Sequence, residues 1–388
     1  MSRLSEESRM IVETVRRFVQ NKVQPLENEV ETLGHIPPEQ LKSLKGEAQA
    51  LGLFALNMPA EVGGGGLSTF DMCLVEEQFG QTSDALIRRV FGQVYPMLMA
   101  CTPAQREKYL LPTIAGDKIC AMAITEPGAG SDAASITTTA RLENGQWVIN
   151  GTKHFISDGD IADYVIVMAL TDPEKRARGG ITLLLVDKDN PGMKVARKQA
   201  MMGHRGYGHA ELVFDDCRIP EDAVLGQVGG GFKLIMQSVS EIRLCHIGAR
   251  CAGMAQRVLE MMRGHAATRK QFGQPIGDFQ MVQQMIADSA IEIYATRSMV
   301  LDCARDIDEG LDPRDKVSMI KVYSSEMLGR VADRGIQVFG GYGFSKDLPL
   351  ERIYRDCRVT RIYDGTSEIH RMLVARSIIK NGLSLAAI

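Results

Sequence analysis

Residues 361–371 read "RIYDGTSEIHR", which sets a single carboxylate, Asp364, between an aromatic side chain and a Gly-Thr-Ser turn at the approach to an apolar stretch. A carboxylate in such a setting can move a proton to or from an activated carbon. It can equally be a helix-entry acid favoured by the helix dipole. Residues 123–132, "AITEPGAGSD", follow a proline with small residues that let a ligand approach the backbone, and the hydroxyls of Thr125 and Ser131 suit a phosphate or a heteroaromatic ring. Taken alone this stretch is an ordinary turn, without the GxGxxG spacing of a dinucleotide fold. In "TRKQFGQPIGDFQ", residues 268–280, Arg269 could meet a phosphate and Phe272 a ring, although a solvated Arg and a core Phe are commoner fates. "QVFGGYGF", residues 337–344, could be no more than a glycine C-cap.

Stepping outward, the elements that must position these residues fall into three blocks, at 1–118, 119–228 and 229–388. The first is helical in pattern, with Ile11, Val15, Phe18 and Val19 at i, i+4, i+7 and i+8. In the second, "QWVINGTKHFIS", "DYVIVMAL", "ITLLLVDKD" and "AELVFDDCRIP" are short, β-branched and bounded by turn formers, which predicts consecutive strands. The third regains helical periodicity over 231–264, 278–309 and 313–339, with a last helix from about Thr366 to Lys380; long helices on short loops predict an antiparallel bundle. "SDALIRRVFGQVYPMLM" reads as one helix whose apolar face holds Leu86, Val90, Val94, Met97 and Leu98, with Arg88 and Arg89 off that face as solvated charges.

Composition narrows the function classes. The 388 residues are 45% hydrophobic and 24% charged, as in folded globular proteins. A net charge of -3 supplies no basic field for nucleic acid. No run approaches the ~20 apolar residues of a membrane span. Eight cysteines without a CxxC pair predict free thiols in a reducing cytoplasm, and the seven histidines show no metal-binding pairing.

Taken together and in order, "AITEPGAGSD", "NGTKHFISDG", "RKQFGQPIGDFQ", "QVFGGYGF" and "YRDCRVTRIYDGTSEIHRMLVAR" resemble the acyl-CoA dehydrogenase family of FAD enzymes over nearly the whole chain. The resemblance implies an α+β fold with an N-terminal helical domain, a middle β-barrel-like domain and a C-terminal four-helix bundle. It implies that residues 122–131, including Met122, Ile124, Thr125, Gly130 and Ser131, line the flavin, with Ser131 also near CoA. Phe155 and Ser157 would cover the flavin face, the hydroxyl donating toward N5. Relatives usually carry Trp at the position of Phe155 and an aromatic at that of Met122. Arg269, Phe272, Phe279, Gln280, Gln337, Gly340 and Gly341 match positions that hold the FAD of a neighbouring subunit, which implies a homotetramer.

Ser240 and Arg243 match a CoA-contacting helix turn, and Gly365, Thr366 and Glu368 match substrate and FAD contacts. Asp364 falls where the family places its α-proton base, usually a glutamate, and its backbone N–H would be an oxyanion donor alongside a ribityl hydroxyl. Some relatives carry the base instead at the position of Ile242; the adjacent Glu241 lies about 100° away around the helix. Arg88 or Arg89 would lie near the acyl tail, where glutaryl-CoA dehydrogenases hold a distal carboxylate. The implied reaction converts an acyl-CoA to a 2,3-enoyl-CoA, with an electron-transfer flavoprotein or similar acceptor as partner. The alternatives are an enoyl-CoA reductase, a nitroalkane-oxidase-like flavin oxidase that also uses an aspartate, and a catalytically silent acyl-CoA-binding subunit.

Overall fold

The computed structural model describes residues 4–92 and 94–383. The N-terminal block is helical, with Glu6–Phe18, Pro38–Ala50, Thr69–Phe79 and Asp84–Val90 as its main segments. Serines start two of them: Ser5 accepts from the Ser8 amide and Ser68 from the Asp71 amide, each satisfying an orphan donor of a first turn.

The stretch expected to form one helix across residues 83–99 is broken. The helix ends at Val90, Gly92 takes φ 71°, and a separate 3-10 segment runs Pro96–Ala100. A glycine in the left-handed region and a proline that cannot donate stop the helix. The apolar residues stay buried but divide between two cores: Leu86 and Val90 join the N-terminal core, while Val94, Met97 and Leu98 join a layer against the sheet.

The middle block is one eight-stranded sheet: β1 (Cys120–Ala123), β2 (Thr139–Glu143), β3 (Gln146–Ser157), β4 (Tyr164–Leu170), β5 (Ile181–Asp187), β6 (Met193–Lys198), β7 (His209–Pro220) and β8 (Val224–Leu225). Its order is β6-β7-β3-β2-β4-β5-β8, with β1 parallel to β4. This is the middle β domain expected, with β6 and β8 at the two ends of its strand order. Strand β4 is buried at every position, because side chains alternate between faces and both faces are covered. Tyr164, Ile166, Met168 and Leu170 pack toward the helical layer; Val165, Val167 and Ala169 pack with Trp147, Leu212 and Phe214.

In the C-terminal block Gly231–Ile242 continues through a π-helical segment, Arg243–Ala249, into Arg250–Thr268. Gln280–Asp308, Arg314–Phe339 and Ser367–Asn381 complete a four-helix bundle. All eight cysteines are free and buried, and no helix of the described residues is long and apolar enough to cross a membrane.

Candidate active site

Asp364 sits in the short connection between the segment Arg358–Arg361 and the final helix, half-buried and at φ 54°. A non-glycine residue in the left-handed region is strained, and the surroundings must hold it there. They do so through its carbonyl, which accepts 2.7 Å from Arg243 Nε and lies 3.2 Å from His370 Nε2. A carbonyl only accepts, so His370 carries its proton on Nε2; its buried Nδ1 has no partner. Burial, with Arg243 nearby, pushes His370 down to about 4, which leaves it neutral. Gly365 follows at φ 92°, and a Cβ there would stand 2.8 Å from His370 Nε2. The glycine is required twice over, by conformation and by space.

The braces leave the working atoms of Asp364 open. Its carboxylate accepts no hydrogen bond, and its amide donates none, from or to any described residue. Burial raises its pKa, opposed by the positive charges of Arg243, His246, Lys321 and Arg88. Burial raises the Glu241 carboxyl, which has His246, Glu76 and Asp308 around it. Arg243, expected near CoA, spends Nε on the Asp364 loop; it stands at the start of a π-helical segment, a distortion that often marks functional positions.

The second candidate element is the loop after β1. Lys153, on β3, is 0% exposed and donates to Ile124 O and Glu126 Oε1, each at 2.9 Å. Glu126 also accepts from Thr137 N, Thr137 Oγ1 and Thr138 N. Although burial opposes ionisation, these partners hold the Glu126 carboxyl down at about 2. His154 N donates 2.7 Å to Thr125 O. The loop is thus pinned from behind, while Gly130 and Ser131 face outward with amides that donate to no described group. Phe155 occupies a register shift between Lys153 and Ile156, at φ 59° and 50% exposed, its ring 4.1 Å from that of His154. Ser157 Oγ lies 3.2 Å from His209 Nδ1; burial, with the charges of His204 and Arg88, holds His209 near 4 and neutral. Its Nε2 is buried without a partner.

Arg88 and Arg89 are not solvated as expected. Arg88 reaches Asp158 Oδ2 at 2.9 Å and Arg89 reaches Oδ1 at 2.5 Å, with the Asp158 side chain only 4% exposed. The arginines that turn off the apolar face find a buried carboxylate next to Ser157. Arg88 also lies 5.1 Å from the centre of the Tyr207 ring.

Of the remaining residues singled out in the sequence, Ser240 is half-buried on the helix leading to Arg243. Thr366 is the N-cap of the final helix, accepting from the Ile369 amide at 3.3 Å, with Glu368 exposed in the first turn. Arg269, Gln280, Gln337, Gly340 and Gly341 are exposed at one end of the bundle, where His265 stacks on Phe339 at 4.1 Å. Phe272, 95% exposed at φ 51°, meets Phe279 edge to face at 6.1 Å.

Lys153, Asp158, His209, Lys321 and His370 were missed as site residues in the sequence. Lys321 left a legible signal, since it falls on the apolar face of its helix, four residues after Val317 and seven before Leu328.

The family models for the acyl-CoA dehydrogenase N-terminal, middle and C-terminal domains match residues 5–117, 121–217 and 229–379. The chain is 35% identical to the acryloyl-CoA reductase (NADH) of Anaerotignum propionicum, covering 97% of this chain and 95% of that protein. It is also 35% identical to the mitochondrial short-chain specific acyl-CoA dehydrogenase of Homo sapiens, covering 97% and 91%. Among solved structures, the FAD complex of PigA superposes with a TM-score of 0.89 at 28% identity, over 97% of this chain and 98% of that one.

Proposed function

The chain belongs to the acyl-CoA dehydrogenase family of FAD-dependent CH–CH oxidoreductases, and from that premise we propose that it converts an acyl-CoA thioester to the 2,3-enoyl-CoA with Asp364 as the α-proton base. The observation that carries the assignment is the state of Asp364: its backbone carbonyl is braced by two side chains while its carboxylate and amide are left without partners. A structural carboxylate at a helix entry would use those lone pairs.

The residues present fit a flavin. The outward amides of Gly130 and Ser131, the half-exposed Phe155 ring and the Ser157 hydroxyl offer donors and a flat apolar surface on one side of the site. FAD bound there would supply the two-electron acceptor for a hydride leaving the β carbon. The chain's own residues do the rest. Asp364 takes the α proton. Its unengaged amide donates to the thioester oxygen as negative charge grows there. Arg243, His370 and Gly365 keep the strained loop in register, because an error of about 1 Å can cost on the order of 10²-fold.

A second reading is favoured by a specific observation, the likeness to a named reductase. Burial raises the Asp364 pKa, which also suits a carboxylic acid that hands a proton to the α carbon when the reaction runs in reverse. As for the acyl end, Arg88 and Arg89 both direct their guanidinium groups at the buried Asp158 carboxylate, which commits them to a partner within the protein although it offsets only one of their two positive charges. The reading that follows is an uncharged acyl tail, with dicarboxylyl thioesters disfavoured. Assembly as a homotetramer in the cytoplasm, with reoxidation by an electron-transfer flavoprotein, completes the proposal.

The test is anaerobic mixing of the purified flavoprotein with a panel of saturated acyl-CoAs. Loss of the oxidised flavin band is expected with monocarboxylic thioesters, and Asp364→Asn should slow it by roughly 10²–10⁴-fold while FAD stays bound. Undiminished reduction in that variant would remove Asp364 as the base. Reduction by a nitroalkane with peroxide release, and none by any thioester, would move the chain to the oxidase branch.

A further inference from the structure

The site contains a cation that belongs to none of the motifs. Lys321 lies two turns into Arg314–Phe339, on its buried face with Val317, Ser318, Ser324 and Leu328. Its side chain is 0% exposed, and Nζ has no hydrogen-bond partner and no ion pair within 4 Å among the described residues. Burying an ammonium without an acceptor is unfavourable, and folds normally avoid it.

The groups around it make its placement meaningful. Lys321 is faced by Asp364 and Glu368, by Arg243, and by the Cys251 thiol. Asp364 is faced by Arg243 and His246 from the π-helical segment, by Lys321 from the long helix and by Arg88 from the N-terminal block; His370 and Tyr363 adjoin it. The other basic side chains are committed. Arg243 binds the Asp364 carbonyl, Arg88 binds Asp158, and His246 lies 3.2 Å from Glu76. His370 is neutral. Among the described residues, Lys321 is the cation of this group without an acceptor.

We propose that Lys321 is a positioning residue for Asp364: its ammonium, buried with no acceptor of its own, holds the carboxylate ionised until it takes the α proton. The bond broken is Cα–H and the bond formed is Oδ–H; Lys321 neither gains nor loses a proton. The inference rests on Asp364 being the base. It gives Lys321 a role in charge and none in contact with substrate.

The experiment uses the FAD-loaded enzyme with Lys321→Met, which keeps the length and apolar stem, and Lys321→Gln as a second uncharged variant. The first readout is the pH profile of thioester-driven flavin reduction. Its acid limb should move to higher pH by about one unit in either variant, since that is the shift a tenfold change in ionisation produces. The second needs no turnover: the protonated-carboxyl band in infrared difference spectra, assigned by its absence in Asp364→Asn, should titrate at higher pH in Lys321→Met. If both readouts coincide with the parent enzyme and only the unfolding temperature changes, Lys321 is a packing residue and the proposal is wrong. The two layers separate cleanly. Undiminished reduction in Asp364→Asn removes the base assignment, whereas a silent Asp364→Asn with an unmoved limb in Lys321→Met removes the role of Lys321 alone.

Discussion

Two lysines, Lys153 and Lys321, are both 0% exposed, and they stand in opposite circumstances. Lys153 has a carbonyl and a carboxylate at 2.9 Å each, and that carboxylate has three further donors. Lys321 has none of these. The first is a buried charge used as a fastener, fully paired because an unpaired one would loosen the loop it holds. The second has among its neighbours Asp364, the carboxylate proposed as the base. Of these two buried ammonium groups, the satisfied one holds a loop in shape, and the unsatisfied one has the Asp364 carboxylate among its neighbours. Phe155, Asp158, His204 and Asp364, all non-glycine residues at positive φ, are strained alike, so strain alone does not separate the two.

The comparison breaks most decisively at the fastener. Glu126→Gln leaves the Lys153 ammonium buried without its carboxylate and should cost about 3–5 kcal/mol of stability, read as a fall in the thermal unfolding midpoint together with lost FAD loading. A midpoint within a degree of the parent would mean that the pair is not holding the loop.

Removing the other lysine should have the opposite sign. Burial pushes Lys321 down to about 8, against the pull of Asp364. Its folded pKa is therefore below its unfolded one, so the unfolded chain binds more protons between those values and stability rises as pH climbs through them. Below about pH 8 the penalty is fully present, on the order of 3 kcal/mol for a shift of this size. Lys321→Met should therefore unfold at a higher temperature than the parent at pH 7, and the gap should narrow toward pH 10. A variant less stable at pH 7 would show that the ammonium has an acceptor after all.

These opposed signs also indicate what a sequence can disclose. The three blocks, the main strands and the long helices follow from periodicity, because each buries one face against one neighbour and the pattern repeats locally. Motif order singles out Asp364 and the loop after β1. The roles of Arg88 and Arg89 were not, because Asp158 lies about 70 residues away in the chain and the pairing exists only once helix and sheet meet. The break after Val90 was hidden for a related reason: the apolar spacing through Leu98 is helical, but Gly92 and Pro96 interrupt it and divide its residues between two cores. Arg243 was assigned to the substrate, and only the folded chain shows its Nε on the Asp364 carbonyl.

Smaller effects sharpen the base side. Gly365→Ala places a methyl 2.8 Å from His370 Nε2 at φ 92°, and strain at such positions costs on the order of 1–3 kcal/mol. Because the strain falls on the loop that aims Asp364, turnover with a thioester should fall by more than the stability loss would suggest, with FAD content unchanged. Equal loss of FAD and turnover would mean that the whole final helix had shifted.

The smallest effect concerns Thr366, which the family resemblance assigns to cofactor or substrate and the structure shows capping the final helix. These two roles separate by magnitude. A lost N-cap costs about 1 kcal/mol and acts on unfolding, so Thr366→Ala should lower the unfolding midpoint slightly, and Thr366→Ser should restore it. A contact to FAD or thioester would instead appear as a change in KM or in FAD affinity that persists when stability has been restored elsewhere in the chain. If Thr366→Ser recovers the midpoint but leaves FAD affinity weakened, the threonine serves the ligand as well as the helix. The final turn would then belong to the working side of the site, alongside Asp364 and Lys321.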